Sequence, residues 1–403
     1  MPSPESTSFQ KSDKGQEQPG VNRDQPGGIW PQQNKGREQS KPDNLRVLFL
    51  STAVSPLGKG DGGGVELSVQ SLARSLSDRG HSIDILAPEG SRIEGAMQQQ
   101  LLTVGGALQP KAQHTPRGYI PLDPGPDTAL YLMCRLAEEQ QARYDLILNF
   151  SYDLLPLQMT SKLATPLVHL ISMGSLYDRF DQEIEQIANQ YPGRLACYSH
   201  SQARSFSVTN AFRVLGFGLD LSNYIWRAEP EEYLLWMGRI SPEKGLEDAL
   251  EVCKESGIPL RIAGKREERA YWEELAARYQ GAPFHYEGFL PTASLQKLIG
   301  GARALLMTPK WDEAFGIVAV ESLACGTPVI SYQRGGPAEI IEDGKQGWLT
   351  PPDRPDKLLQ SVKKLNLIDR KECRNRAEAH YSLSAWARRM EEWFASIVRN
   401  RNT

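Results

Sequence analysis

The sequence contains two series of alternating strand and helix patterns. Each series begins with a short apolar strand, followed by a glycine-containing turn and a helix. Val47–Leu50 is the first such strand, followed by the helical stretch Val65–Asp78 and a strand at Ser82–Leu86. Leu234–Met237, followed by Gly238, begins the second series. Strand–helix–strand units with short joints are typical of parallel sheets. The sequence therefore predicts an α/β protein with two doubly wound, Rossmann-like domains whose strand ends face a central cleft.

The length of 403 residues is too great for one ordinary core and suits two domains of about 150 residues each. We expect the first domain at 44–227 and the second at 228–378, joined near Leu215–Ala228, with one or two terminal helices in 379–403. Residues 90–125 are rich in Gly, Pro and Gln and predict an irregular excursion. Further strands are expected at Asp145–Asn149, Pro166–Ile171, Leu260–Ala263, Phe284–Glu287, Ala304–Met307 and Val329–Ser331.

Residues 1–43 differ in composition from everything after them. Ser, Gln, Pro, Gly and Lys dominate, and no apolar segment of the kind found in a secretory signal follows Met1. Such a segment buries too little apolar surface to offset the entropy lost on ordering. The composition predicts a disordered N-terminal tail.

Charge, hydropathy and cysteine usage exclude several classes of partner. The net charge is −3 and no basic cluster is interleaved with aromatic residues, which excludes a nucleic-acid partner. No apolar run reaches the ~18 residues of a membrane span, so no stable membrane anchor is expected. The five cysteines are scattered and form neither a zinc pattern nor a disulfide framework, which fits a cytoplasmic protein. The oligomeric state is left open.

Two glutamates eight positions apart, Glu313 and Glu321, lie in a segment with clear helix punctuation. Ile317–Ala324 is expected to form a short helix after Gly316, closed by Gly326. Helical geometry places Glu321 about a turn and a half beyond the helix start, with its carboxylate leaning back toward that start. Both acids can border one cleft, beside a helix N-terminus whose free N–H groups suit a phosphate. An exposed acidic helix is the alternative, but the small apolar residues of this helix argue against it.

Two cations follow the strand that opens the second domain. Arg239 and Lys244 lie in the segment Gly238–Gly245, at the carboxyl end of Leu234–Met237. A nucleoside diphosphate leaving group needs such cations because negative charge grows on it as the bond to the transferred group breaks. By itself this segment is equally compatible with a solvated pair of surface cations.

The segment Trp311–Val329 resembles the donor site of the retaining glycosyltransferases of family 4, which have the two-domain GT-B fold. The resemblance implies a hexosyltransferase in which Glu313 contacts the transferred sugar and Glu321 binds the ribose, while Arg239 and Lys244 contact the diphosphate. In that family the last helix crosses back onto the first domain. Residues expected to bind the donor are Gly63, Gly64, Arg239, Lys244, Gly288, Phe289, Leu290, Glu313, Ala314, Phe315, Gly316, Ile317 and Glu321.

The same resemblance bears on the base and on metals. Gly288–Leu290 corresponds to the family segment whose backbone meets the nucleotide base, and UDP is the commonest carrier in the family. Glycosyltransferases of the other main architecture hold a divalent ion with an Asp-X-Asp triplet, and this sequence has none. We therefore predict neither a metal nor a cofactor, with the two cations and a helix N-terminus stabilising the diphosphate.

The glycine-rich loop that ends at Gly64 also matches a dinucleotide-binding fingerprint. Gly58, Gly60 and Gly63 have the required spacing, and Asp84 follows about 20 residues later. However, seven residues separate the loop from the strand that ends at Leu50, and Asp84 lies inside a strand, which disfavours a nicotinamide-dependent dehydrogenase. We expect Gly63 and Gly64 to let the backbone approach the donor phosphate. A plain flexible turn remains the alternative.

His169 lies at the end of an expected strand of the first domain. A lone histidine beside a strand is usually a packed core residue. Its position at the cleft-facing end, and a matching histidine in members of the resembled family, predict instead a catalytic and acceptor-binding role. Both interpretations stay open on the sequence.

The acceptor is indicated by resemblance and by charge. Segments Ser51–Leu67, Leu146–Asp153, His169–Leu176 and Met307–Gly326 resemble the tetrahydrobiopterin α-glucosyltransferases within the family, which implies UDP-glucose as donor and a pterin α-glucoside as product. Residues 44–227 contain 15 basic and 17 acidic side chains, which disfavours an acceptor in an anionic membrane. Another small polyol or sugar is the alternative acceptor, and a non-catalytic nucleotide-sugar binding protein is the remote one. Residues expected near the acceptor are Glu66, Asn149, Tyr152, Asp153 and His169.

Overall fold

The computed structural model of the protein describes residues 44–58, 63–93, 100–112, 117–119 and 124–401. The predicted tail at 1–43 and the middle of the glycine-rich loop, including Gly60, lie outside the described residues.

The first domain is built on a seven-stranded, fully parallel sheet with strand order β3-β2-β1-β4-β5-β6-β7. Val47 is paired with Ile83 on one side and with Leu146 on the other, so β1 lies near the centre. Central strands are buried on both faces, which is why their sequences are almost continuously apolar. The strands are β1 (Arg46–Leu50), β2 (Ser82–Pro88), β3 (Leu101–Val104), β4 (Leu146–Asn149), β5 (Leu167–Leu170), β6 (Leu195–Cys197) and β7 (Phe212–Val214).

Helices cover the first sheet and connect its strands. Thr128 caps the second of them, where its side chain accepts a hydrogen bond from the Tyr131 amide. The helices of this domain are α1 (Gly63–Asp78), α2 (Ala129–Gln140), α3 (Leu154–Gln158), α4 (Asp178–Gln190) and α5 (His200–Arg204).

The second domain repeats the design with a six-stranded parallel sheet of order β10-β9-β8-β11-β12-β13. Its strands are β8 (Leu234–Met237), β9 (Leu260–Ala263), β10 (Phe284–Gly288), β11 (Ala304–Met307), β12 (Val329–Tyr332) and β13 (Gly347–Thr350). Its helices are α6 (Leu246–Ser256), α7 (Arg269–Arg278), α8 (Thr292–Gly301), α9 (Ile317–Ala324), α10 (Pro337–Ile340) and α11 (Pro355–Val362), and the chain ends in α12 (Arg370–Tyr381) and α13 (Leu383–Arg401).

Two expectations about the elements need correction. The stretch 90–125 is not wholly irregular, because β3 lies within it as the edge strand beside β2. The terminal helices begin at Arg370, nine residues before the expected 379, since α12 is rich in charged residues and its apolar periodicity is weak. Ser382, with ψ 153°, separates α12 from α13.

The last helix lies on the first domain, whereas α12 packs against α9 in the second. Glu391 of α13 accepts hydrogen bonds from Arg79 at 2.6 and 2.7 Å and lies 3.0 Å from His81 Nε2. The Trp393 indole donates to the Gly193 carbonyl at 2.7 Å. These contacts attach the C-terminal helix α13 to the first domain.

An aromatic cluster fills the space between the two domains. Phe315, just before α9, has ring centroids of Tyr198, Phe217 and Tyr381 at 6.1, 5.9 and 6.0 Å. Phe315 is buried among them. The start of α9 is therefore fixed by residues of both domains.

Candidate active site

The N-terminal ends of α1 and α9 face each other across the domain boundary. A Cβ atom added to Gly64, in the first turn of α1, would lie 2.8 Å from Ile317 Cδ1, the first residue of α9. Glycine at 64, beside Gly63, permits this approach. Free N–H groups at two helix starts are thus directed to one region, as an anionic ligand requires.

The loop before α9 is fixed by close backbone contacts. Gly316 adopts φ 92° and ψ 60°, a left-handed conformation that favours glycine, directly before the helix. The Gly336 amide donates to the Glu313 carbonyl at 2.7 Å, and a Cβ on Gly336 would lie 2.5 Å from Phe315 atoms. Sequence reasoning missed Gly335 and Gly336, although they follow β12 in the same strand-then-glycine pattern that marked the other loops.

Residues of the first domain also hold this loop. Ser199 Oγ donates to the Ala314 carbonyl at 2.6 Å. Glu339 of α10 accepts from the amides of His200 at 2.9 Å and Ser201 at 2.5 Å, so a carboxylate of the second domain caps the start of α5. These contacts could not be found from sequence because the partners lie more than 100 residues apart.

One of the predicted diphosphate cations, Lys244, lies against the first predicted acid, Glu313. Lys244 Nζ is 2.6 Å from Glu313 Oε2, and the ammonium stands 5.3 Å from the Trp311 ring centroid. The two side chains are 18% and 20% exposed, so both remain accessible. A Cβ on Gly245 would lie 2.0 Å from the Thr308 carbonyl oxygen, which explains how the loop carrying Lys244 comes so close to the end of β11.

Arg239 is the second predicted cation, and it also contacts carboxylates. Its Nη1 donates to Glu267 Oε2 at 2.5 Å and its Nη2 to Glu243 Oε1 at 3.0 Å. The guanidinium is 30% exposed. Both cations therefore lie at the carboxyl end of β8 in a mouth that also contains acidic groups.

Glu321, the second predicted acid, is partly buried in the middle of α9. Its Oε1 accepts a hydrogen bond of 2.7 Å from Tyr224 Oη. Burial raises the pKa of Glu321 to about 7, while the Tyr224 hydrogen bond acts in the opposite direction. Sequence reasoning missed Tyr224, since a tyrosine in a linker carries no local signal of this contact.

The segment expected at the nucleotide base, Gly288–Leu290, begins at the last residue of β10. Gly288 adopts φ 81°. Phe289 is 63% exposed, and Lys265 Nζ lies 5.1 Å from its ring centroid. Leu290 packs against the core and holds the segment in place.

His169 has the surroundings of a core residue. It is fully buried, with Nε2 at 2.8 Å from Thr160 Oγ1 and Nδ1 at 3.2 Å from Asn149 Nδ2. Burial lowers its pKa to about 3, so the ring is neutral. Both ring nitrogens contact protein groups, which favours the packed interpretation, and the catalytic and acceptor-binding role of His169 stays a prediction.

The other expected acceptor residues differ in their accessibility. Asn149 is fully buried and bonded to Ser151 as well as to His169, so it too serves the interior. Tyr152 is buried and donates to the Gly174 carbonyl at 2.7 Å. Glu66 is buried and accepts from the Gly58 amide at 2.5 Å.

Asp153 is the member of that set which lies partly exposed at the carboxyl end of β4. Its Oδ2 accepts a 2.5 Å hydrogen bond from Ser151, and burial raises its pKa. An aromatic pair that sequence reasoning missed lies nearby, with the Tyr119 and Tyr177 ring centroids 6.2 Å apart.

Asp181 adds a second carboxylate to this edge of the first domain. It accepts from Ser175 Oγ at 2.6 Å and from Arg117 Nη2 at 3.1 Å, and burial raises its pKa. This edge of the first domain therefore presents the exposed ring of Tyr119 and two partly exposed carboxylates, one of them bonded to Arg117.

Within the described residues, no group of three or more His, Cys, Asp or Glu side chains is placed to hold a metal ion. None of the described helices is long and apolar enough to cross a membrane.

Comparison with known proteins gives a family match for the second domain. Residues 225–382 match the family model Glycosyl transferases group 1. The D-inositol 3-phosphate glycosyltransferase of Rhodococcus erythropolis is 28% identical, over 77% of this chain and 81% of the relative. An uncharacterised glycosyltransferase of Methanocaldococcus jannaschii is 33% identical, but the match covers 33% of this chain and 35% of the relative.

Solved structures confirm the fold. Anabaena HepE in complex with UDP and glucose superimposes with a TM-score of 0.66 at 18% identity, over 88% of this chain and 100% of that one. Sucrose-phosphate synthase from Thermosynechococcus elongatus gives a TM-score of 0.69 at 19% identity, over 89% and 100%. The chain has the GT-B fold, and its residues 225–382 are similar to group 1 glycosyl transferases. A particular closeness to the pterin-specific subfamily is not among the findings and stays a prediction.

Proposed function

We propose that this protein is a group 1 glycosyltransferase that transfers glucose from UDP-glucose to a small hydroxylated acceptor with retention of the anomeric configuration. The observation that carries the proposal is the Lys244–Glu313 pair in the loop before α9, with Gly64 of α1 opposite the start of that helix and Glu321 further along it.

The donor is assigned to this grouping part by part. The diphosphate accepts hydrogen bonds from the free N–H groups at the start of α9 and from Arg239 and Lys244. It thereby replaces the carboxylates that contact these two cations. The ribose hydroxyls donate to Glu321, and Glu313 contacts the sugar. HepE, solved with UDP and glucose, has the same fold, which makes UDP-glucose the first donor to test.

The transfer step follows from where charge develops. As the glycosidic bond breaks, negative charge grows on the departing β-phosphate, and Arg239 and Lys244 stabilise it there. The acceptor hydroxyl attacks from the same face and gives its proton to the departing phosphate, so UDP and a retained glycoside form. Glu313 positions the sugar in this scheme and forms no covalent bond. No step of this scheme is assigned to His169, whose ring nitrogens contact Thr160 and Asn149.

A reduced pterin, tetrahydrobiopterin, is our first candidate acceptor. Its flat ring suits the exposed ring of Tyr119, and its N–H groups suit the carboxylates of Asp153 and Asp181. Arg117, the nearest described cation, is already bonded to Asp181.

An inositol phosphate is the second candidate. It is favoured by a different observation, the similarity to D-inositol 3-phosphate glycosyltransferases over most of the chain. A phosphorylated acceptor would meet the carboxylates of Asp153 and Asp181 at this edge of the first domain, which favours the pterin.

The test incubates the full chain with UDP-glucose and either tetrahydrobiopterin or D-inositol 3-phosphate. We expect UDP release that depends on the pterin, a product heavier by one hexose, and an α-type coupling of the anomeric proton. A β-coupling would overturn the retaining mechanism, and a product only with the inositol phosphate would replace the acceptor. Binding of UDP-glucose without turnover on either acceptor would favour the remaining alternative, a non-catalytic nucleotide-sugar binding protein.

The same assay tests the proposed independence of metals. Turnover is expected to persist in excess EDTA, because two cations and a helix N-terminus balance the diphosphate charge. Activity that disappears on chelation and returns with magnesium or manganese would contradict this assignment.

A further inference from the structure

Tyr224 connects the segment between the two domains to the donor site. It lies between β7 and β8, where the chain passes from one sheet to the other. Its side chain is buried, and its hydroxyl donates to Glu321 Oε1 over 97 residues of sequence. Neither the similarity to group 1 glycosyl transferases nor the sequence pattern assigns a role to Tyr224.

The backbone of Tyr224 is held as firmly as its side chain. Its carbonyl oxygen accepts from Arg374 Nη1 at 2.7 Å. The same nitrogen donates to the Ala324 carbonyl, the last residue of α9, at 2.6 Å. Arg374 of α12 thus fastens the inter-domain segment to the end of the helix that carries Glu321. This link keeps the backbone that carries the phenol next to the helix that carries the carboxylate.

We propose that Tyr224 is a positioning residue that orients the Glu321 carboxylate and keeps it ionised for the ribose hydroxyls of the donor. The proposal rests on the proposed function of this site. Hydroxyl groups of a ribose donate hydrogen bonds, so they need a carboxylate that accepts on both oxygens. A phenol that donates to Oε1 leaves Oε2 and a second lone pair of Oε1 for the ribose.

Electrostatics show why such a residue is needed at this position. Burial raises the pKa of Glu321 to about 7, and the hydrogen bond from Tyr224 favours the ionised form. The remaining titratable groups around the pair, within the described residues, are Cys325, Asp220, Arg370 and Arg374. Among the described residues, none of these four side chains donates a hydrogen bond to the Glu321 carboxylate. Without the phenol, the carboxyl would retain its proton to a higher pH.

The consequence is a linkage between proton release and donor binding. Ribose binding favours ionised Glu321, so UDP affinity should rise with pH through the pKa of this group and level off above it. Removing the Tyr224 hydroxyl raises that pKa further, and the rise in affinity should move to higher pH. A tyrosine that only filled space would leave the pH profile unchanged when replaced by phenylalanine.

The experiment measures UDP affinity by calorimetric titration from pH 6 to 9 for the wild type and Tyr224→Phe. At pH 7 we expect the variant to bind roughly ten-fold more weakly, as befits loss of a hydrogen bond to a charged group. At pH 9 most of that difference should disappear. Tyr233→Phe is the matched control, because the Tyr233 hydroxyl is also buried but donates to the Leu298 carbonyl away from the site.

The outcomes separate this inference from the proposed function. A wild type that does not bind UDP at any pH contradicts the donor site itself. A wild type that binds, with a Tyr224→Phe profile superimposable on it, overturns only the role of Tyr224. Glu321→Gln provides a further test that needs no change at Tyr224, since it should abolish the rise in affinity with pH. A wild-type affinity that is constant from pH 6 to 9 would by itself overturn the inference.

Discussion

Lys244 and Glu313, which lie 69 residues apart in sequence, form an ion pair of 2.6 Å at the mouth of the second sheet. Lys244 comes from the turn after β8 and Glu313 from the loop between β11 and α9. The pair brings the cation proposed for the leaving group next to the acid proposed for the sugar, and both side chains remain partly exposed.

Lys244→Ala is expected to lower kcat by about 10²–10³-fold, because the ammonium opposes charge that peaks in the transition state. Arg239→Ala should have an effect in the same direction. Steady-state kinetics with UDP-glucose measure both, and Lys254→Ala, an exposed lysine of α6, is the control. Wild-type turnover in both site variants would remove these cations from the diphosphate.

Glu321→Gln should change how stability depends on pH. The folded-state pKa, about 7, lies above the ordinary value of 4.5, so the folded protein retains this proton where the unfolded chain has lost it. The free energy of unfolding of the wild type should therefore fall as pH rises from about 4.5 to 7, relative to the variant. We expect Glu321→Gln to be more stable at pH 8 by on the order of 1–3 kcal/mol and nearly equal at pH 4.

Urea denaturation at the two pH values measures this difference. Glu255→Gln, at an exposed position, should show no such change and serves as the control. Equal pH dependence in the wild type and Glu321→Gln would mean that the carboxyl ionises normally.

His169→Ala should cost stability and spare catalysis. The substitution removes a buried ring and one hydrogen-bond partner each from Asn149 and Thr160, for a loss of roughly 2–4 kcal/mol in the free energy of unfolding. The kcat of the folded fraction should stay close to that of the wild type. His285→Ala, at an exposed position, should alter neither quantity. A large fall in kcat at unchanged stability would restore the catalytic interpretation.

Gly64→Ala should raise the KM for UDP-glucose by a few-fold, because the added methyl group meets Ile317 Cδ1 where α1 approaches α9. The obstructing atom is the end of a side chain, so Ile317→Val, which lacks it, should restore the KM in the double variant. Ile317→Val alone is expected to resemble the wild type. A Gly64→Ala effect that persists in the double variant would show that this contact is not the cause.

The parts of the fold that were correctly expected are those with strong local patterns. Helix α9 begins and ends where expected, since Gly316 punctuates its start and Gly326 follows its end. The central strands were found because burial on both faces makes them continuous apolar runs. Four strands were missed, and each has only three or four residues and lies at or next to a sheet edge: β3, β6, β7 and β13.

The sequence by itself determined the α/β class, the two strand–helix series and the loop positions of Glu313, Arg239 and Lys244, because these depend on residues close together in the chain. Only the tertiary structure decided that His169 is enclosed, and that Tyr224 reaches Glu321. Burial and hydrogen-bond partners are set by residues tens to hundreds of positions away. Such contacts leave no periodic or compositional signal at either partner, because each side chain alone is compatible with a surface, a core or a site.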